Sequence, residues 1–189
     1  MGDARLHVGV QFYQGYHMSV VPPKHSIPSL SITPMDESSA ARIQTWQYSG
    51  IMARYTFNDD PFERQWLCHP DHRYYQIRDV LQKLIGFAAI GQHAQPIGAA
   101  FQEDAEDILI GIRPDLVNLR RGYELCVSVI NFAKRSTRRR TLRVSLPHNH
   151  EPGLAVWQRA GFFPEYTFLG TDKTPFVVLL APSDAAEAA

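Results

Sequence analysis

The chain carries no surplus of charge, since nineteen Lys and Arg stand against nineteen Asp and Glu over 189 residues. Proteins that hold nucleic acid or an anionic membrane draw much of their affinity from excess cations, so this balance argues against both as the main partner. Cysteine is scarce too, with only Cys68 and Cys126. Two thiols without framework spacing rule out a disulfide scaffold and fit a reducing compartment. The sequence has no apolar run of about 18 residues, the length a membrane-spanning helix needs. At the N-terminus apolar residues alternate with polar ones and form no continuous secretory core, so a cytoplasmic location is expected. Zinc-type ligand pairs are missing as well. Cys68, His69 and His72, with His148 and His150 far downstream, supply no two pairs at metal-binding spacing, and no metal is expected.

What remains is an ordinary globular composition, 44% hydrophobic and 20% charged, at a length that suits one domain. Residues 1–27 stand apart, an aromatic and polar stretch broken by Pro22-Pro23, and read as an N-terminal extension. Residues 28–181 read as the domain, and 182–189 as a short, flexible tail. Leu30-Ser31-Ile32-Thr33 alternates like a strand that Pro34 closes. Asp36 and Ser38 offer N-caps for a helix bearing Ala41, Ile43 and Trp46, and Pro61 sits in the first turn of a second helix ending near Cys68. Arg73 to Ile77 and Lys83 to Ile90 read as a hairpin without an Asn-Gly turn signal.

The second half is patterned more sharply. Ile108, Ile110 and Ile112 share one face of a strand whose other face carries Asp107, Leu109 and Gly111. Leu125, Val129, Phe132 and Ala133 recur at helical spacing between Arg121 and Lys134. Leu142, Val144 and Leu146 mark another strand, and a short helix from about Pro152 stops at Gly161, a residue suited to the left-handed C′ position. Two strands follow, near Phe162–Leu169 and Pro175–Leu180.

The segment Ile110-Gly111-Ile112-Arg113-Pro114-Asp115-Leu116, the turn to Gly122, then Glu124 and Phe132-Ala133-Lys134, resembles the acetyl-CoA site of the GNAT superfamily. Leu142-Arg143-Val144 and the later Val156-Trp157-Gln158-Arg159-Ala160-Gly161-Phe162 are similar to that superfamily's next strand, helix and Gly-Phe turn. Tyr48, Tyr55 and Asp59-Asp60 resemble one bacterial branch of it. The resemblance covers residues 29–180 and implies an α+β fold, a mixed α/β arrangement of about six to seven mostly antiparallel, twisted strands and about four helices. The sheet would be splayed between strands four and five. The resemblance also implies acetyl-CoA as co-substrate and a primary amine as acceptor, joined by direct attack.

By this resemblance the Ile112 backbone N–H polarises the thioester carbonyl, Leu119, Arg120, Arg121, Gly122 and Tyr123 cradle the pyrophosphate at a helix N-terminus, and Ile110, Asn149 and Trp157 belong to the same cofactor-binding set. Close approach of backbone to phosphate favours glycine, yet Arg120 stands where the superfamily loop has its earlier glycine. Arg120 and Arg121 are able to pair with phosphate directly, because guanidinium matches its oxygens two at a time. The tyrosine that commonly protonates the leaving thiolate aligns with Trp157, whose indole N–H is no useful acid. The asparagine seven residues earlier aligns with His150, next to Asn149. His150 is a candidate replacement acid. Asp107 is the first choice of base, with Glu106 and Asp104 as alternatives.

Two further clusters have ordinary readings. Lys134, Arg135 and Arg138-Arg139-Arg140 lie at a helix C-terminus, where cations favour the helix dipole. The aromatics Trp46, Tyr48, Tyr55, Trp66, Tyr74 and Tyr75 serve equally as core or as the wall of an acceptor pocket. The expected function is an acetyl-CoA-dependent N-acetyltransferase. The alternative is a GNAT-fold binding or regulatory subunit that has lost catalysis and acts through a protein partner, with residues 1–27 as the contact. A homodimer is the other assembly left open.

Overall fold

The structure, a computed structural model, describes residues 30–117, 119 and 121–183. The extension expected at residues 1–27, and the position of Arg120, lie outside the described residues. Seven strands form one sheet in the order β1-β2-β3-β4-β5-β7-β6. They are β1 (Ser31–Pro34), β2 (Tyr74–Arg78), β3 (Leu84–Ile90), β4 (Glu106–Ile112), β5 (Thr141–Pro147), β6 (Phe163–Leu169) and β7 (Pro175–Pro182). All neighbours run antiparallel except β4 and β5, which are parallel. Four α-helices accompany them among the described residues: α1 (Glu37–Gln44), α2 (Pro61–Cys68), α3 (Gly122–Ser136) and α4 (Glu151–Arg159).

Local chemistry sets the helix boundaries. The Asp36 side chain accepts from the Ser39 N–H at the start of α1, and Asp60 accepts from Phe62 N–H at the start of α2. Gly161 has φ +93° directly after α4, and Phe162 N–H closes back on the Trp157 carbonyl at 3.1 Å. The hairpin turn without a sequence signal is held by Asp79, whose carboxylate accepts from Leu81 and Lys83 N–H, with Gln82 at φ 59°.

The sheet divides the interior into two cores. On one face Ile77, Ile108, Leu125, Val129, Leu142, Val144, Trp157 and Leu179 pack beneath α3 and α4. On the other, Ile43, Trp46, Leu67, Tyr74, Phe87 and Ala89 pack beneath α1 and α2. The strict alternation along β4 explains the split, since Ile108 and Ile110 join the first core and Leu109 the second. Short 3-10 turns, Gly50–Tyr55 among them, were not legible in the sequence. Pro182 and Ser183, grouped above with the tail, are tied to the domain. Pro182 pairs with Thr141, and Ser183 N–H bonds to Arg140 O at 2.9 Å, because β7 continues along β5 to its end.

Gly111 pairs with Phe87 across β3 and β4, and the Phe87 ring lies over it so closely that a Cβ there would sit 2.1 Å from a ring carbon. Gly111→Ala must therefore displace an aromatic core residue. It is expected to lower the unfolding free energy by about 1–3 kcal/mol, measured by urea titration.

Candidate functional site

Strands β4 and β5 touch only at their start, where Glu106 pairs with Leu142 and Asp107 with Arg143. Past that point they separate. The register shows which backbone groups are left facing the gap. Gly91 N–H bonds to Asp107 O, and Arg113 N–H to Ile85 O, so the odd-numbered residues of β4 direct their polar groups toward β3. The N–H and C=O groups of Ile108, Ile110 and Ile112 therefore point to the β5 side, which no strand occupies beyond Asp107. Tyr48 Oη confirms the direction by donating to the Ile112 carbonyl at 2.9 Å. Burial pushes the Tyr48 hydroxyl well above its ordinary acidity range, so it stays a donor at neutral pH.

From this open edge the chain runs through Arg113 to the N-terminus of α3. Arg121 occupies the cap position in helical conformation, and its side chain makes no cap hydrogen bond. A helix of 15 residues thus begins here, and the N–H groups of its first turn have no partner within the helix itself. Gly122 faces Val156 of α4, at 3.7 Å from where a Cβ would lie. Leu119 is exposed, and Tyr123 carries the Arg159 guanidinium 4.1 Å above its ring. The expected phosphate-loop residues Leu119, Arg121, Gly122 and Tyr123 are thereby gathered at one helix end, adjoining the edge that holds Ile110 and Ile112.

The expected acid and base positions look different. Asp107 is buried and grips Arg143 with both oxygens, at 2.7 Å to Nε and 2.8 Å to Nη2, while Gln95 Nε2 donates at 2.8 Å. Arg143 also lies 3.7 Å over the Phe101 ring and reaches Glu103 at 3.2 Å. Glu106 is buried and bonded to Arg73 at 2.9 Å. Both carboxylates act as clamps at the root of the gap, each held by a cation. The third candidate, Asp104, is exposed and pairs with Arg139. Trp157 is buried edge-on against Phe162, at 4.8 Å between centroids, as a member of the core. Asn149 is exposed in the turn before α4. The His150 ring lies against Gly153 in the first turn of α4, and burial lowers its pKa from the ordinary 6.5, keeping the imidazole neutral near pH 7.

The other face of the gap opens on a cavity of about 640 Å³. Phe57, Trp66, Tyr74, Phe87, Leu109 and Phe176 give it an apolar wall. Several polar groups interrupt this wall. Arg54 at the rim reaches Asp172 at 3.3 Å, Glu63 accepts from Asn58 N–H at 2.7 Å, and His93 packs tilted against His72 at 4.3 Å and edge-on against Trp66 at 4.9 Å. Burial, with the neighbouring His72, lowers the His93 pKa below 6.5. Ser145 lines the cavity from β5. Sequence reasoning named Tyr55, Trp66 and Tyr74, all of which line the cavity, but missed Phe57, Phe87, His93 and Ser145. The alternation that put Leu142, Val144 and Leu146 on one face already assigned Ser145 to the other. For His93, in a turn after β3, no local signal existed.

No protein-family profile matches the chain, and no curated protein sequence matches it. Solved structures do. The GNAT-family acetyltransferase of Bacillus anthracis superposes with a TM-score of 0.64 at 11% identity, over 82% of this chain and 95% of the other. The spermidine N-acetyltransferase of Vibrio cholerae, solved with CoA and spermine, gives 0.63 at 12% identity over 82% and 96%. At this identity the likeness is one of fold. The chain has the GNAT fold, with the mixed sheet and the parallel, diverging central pair.

Two outcomes follow from the geometry. Asp107→Ala removes both charge-assisted bonds to the buried Arg143 guanidinium and leaves it only the partly exposed Glu103 as counter-charge, and is expected to cost about 3–5 kcal/mol in chemical denaturation. Because the His93 and His150 pKa values are lowered in the fold, the unfolded chain binds more protons as pH falls below 6.5. Stability is expected to be full above that pH and to fall below it. The double substitution His93→Gln and His150→Gln should flatten that part of the curve, read as denaturation midpoints from pH 5 to pH 8.

Proposed function

We propose that the chain is an acetyl-CoA-dependent N-acetyltransferase whose acceptor is a primary amine with a compact apolar body. The observation that carries this reading is the divergence of β4 from β5 just past the Asp107–Arg143 pair, leaving the Ile108–Ile112 edge beside the start of α3. An acyl thioester laid along that edge meets N–H donors from Ile110 and Ile112, which would stabilise the oxyanion formed on attack. Its pyrophosphate would rest on the first turn of α3, with Leu119, Arg120, Arg121, Gly122 and Tyr123 around it. Acetyl-CoA is a co-substrate here, and no metal is invoked.

The cavity supplies the acceptor class. Its wall includes five phenyl or phenol rings, an indole and Leu109, and the rim carboxylate Asp172 is already shared with Arg54. Such a lining favours an aryl or alkyl amine over a long polycation. A neutral imidazole at His93, on the same wall, is the proton acceptor we assign to the incoming ammonium. In this scheme Asp107 and Glu106 hold the root of the gap, and His150 and Asn149 flank its far side. Trp157 keeps α4 packed in place of supplying an acid.

A second reading keeps one specific support: a core tryptophan fills the position where the superfamily commonly has its acid. That reading is a GNAT-fold subunit without catalysis, acting through a protein partner.

Calorimetry with acetyl-CoA, followed by release of CoA thiol in the presence of 2-phenylethylamine or spermidine, tests the proposal. Micromolar binding and faster release with the aryl amine are expected. Binding without release from any amine supports the second reading, and absence of binding overturns both the site and the activity.

A further inference from the structure

Ser145 has an unusual position. It lies on β5 two residues past Arg143, on the same face as the Asp107–Arg143 clamp. Its counterpart on β4, two residues past Asp107, is Leu109. Both line the cavity, so they form the first pair of side chains above the point where the strands part. Ser145 is 5% exposed, and its hydroxyl is the one buried side-chain polar atom without a hydrogen-bond partner among the described residues. A buried hydroxyl with no partner costs stability, and such groups are rare in folded proteins. A ligand atom placed between β4 and β5 would supply the missing partner.

Resting on the acyltransfer reading above, we infer that Ser145 is a catalytic residue whose hydroxyl meets the sulfur of the acyl donor and carries the proton that the leaving thiolate takes up. The balance is complete within the site. The amine nitrogen forms its bond to the carbonyl carbon, and the adduct collapses with cleavage of the carbon–sulfur bond, whose electron pair stays on sulfur. The Ser145 hydroxyl proton moves to that sulfur while its oxygen receives a proton from the substituted ammonium of the same adduct. The products are the amide and the free thiol, and Ser145 is regenerated. This gives the thiolate a donor in a chain where Trp157 holds the position of the usual acid.

The test uses CoA and desulfo-CoA as probes, so it needs no knowledge of the acceptor. In Ser145→Ala, CoA is expected to bind about tenfold more weakly, while desulfo-CoA binds as to wild type, because one hydrogen bond to sulfur is lost. Ser145→Thr, which keeps the hydroxyl, should restore the difference. Folding supplies a control: deletion of an unpartnered hydroxyl should leave the urea midpoint of Ser145→Ala unchanged or raised. Equal affinity of wild type and Ser145→Ala for CoA would overturn the assignment while leaving the acyl-donor site intact. Loss of both ligands to the same degree would overturn it too, by showing a merely structural role. Failure of wild type to bind either probe would remove the acyl-donor reading itself, and this inference with it.

Discussion

The ion pair between Asp107 and Arg143 decides where this sheet divides. It lies where the parallel strands β4 and β5 pair, at Glu106–Leu142 and Asp107–Arg143, and is sealed by Gln95, Glu103 and the Phe101 ring. Below it the backbone ladder is continuous; above it β4 keeps one neighbour and loses the other. A charge pair at this depth is held by geometry as much as by attraction, since both oxygens of the carboxylate and two nitrogens of the guanidinium are engaged. The site above depends on the clamp because an opening in a sheet is useful only if its root stays closed.

Everything on either side of the opening follows from strand alternation. Even-numbered residues of β4 send side chains under α3 and backbone polar groups into the gap, while Leu109 faces the aromatic cavity. One strand thus separates an acyl-donor channel from an acceptor chamber and borders both. Gly111 lets the Phe87 ring lie flat across it, which joins the chamber wall to the floor of the strand. Burial keeps the nearby titrating groups uncharged: Tyr55 is pushed up to about 12, Cys126 is raised, and His93 is lowered. The interior therefore adds little free charge to the reacting groups.

Much of this was legible in the sequence, and the reasons are physical. The period-two pattern of Ile108, Ile110 and Ile112 fixed both the strand and its buried face, and the helical spacing of Leu125, Val129 and Ala133 fixed α3. The GNAT resemblance supplied the splay and the fold that the solved structures share. Chemical roles were harder. Asp107 and Glu106 looked like free carboxylates because their partners, Arg143 and Arg73, lie far along the chain and meet them only through sheet register. His93 was missed for the same reason, and although alternation put Ser145 on the face opposite Val144, nothing local showed that this face borders a cavity gathered from several strands, α2 and their loops. Trp157 was recognised as a departure from the usual acid, and its packing on Phe162 explains why a large ring is accommodated there.

The central claim is that the unpaired edge of β4 is the seat of the acyl donor. Amide hydrogen exchange at Ile110 and Ile112, followed with and without CoA, tests it directly. The account predicts that both amides exchange readily in the free protein and become protected when CoA is present, together with the first turn of α3. Unchanged exchange at these two amides under saturating CoA would contradict it, because the cofactor would then lie somewhere other than the gap that Asp107 and Arg143 hold open.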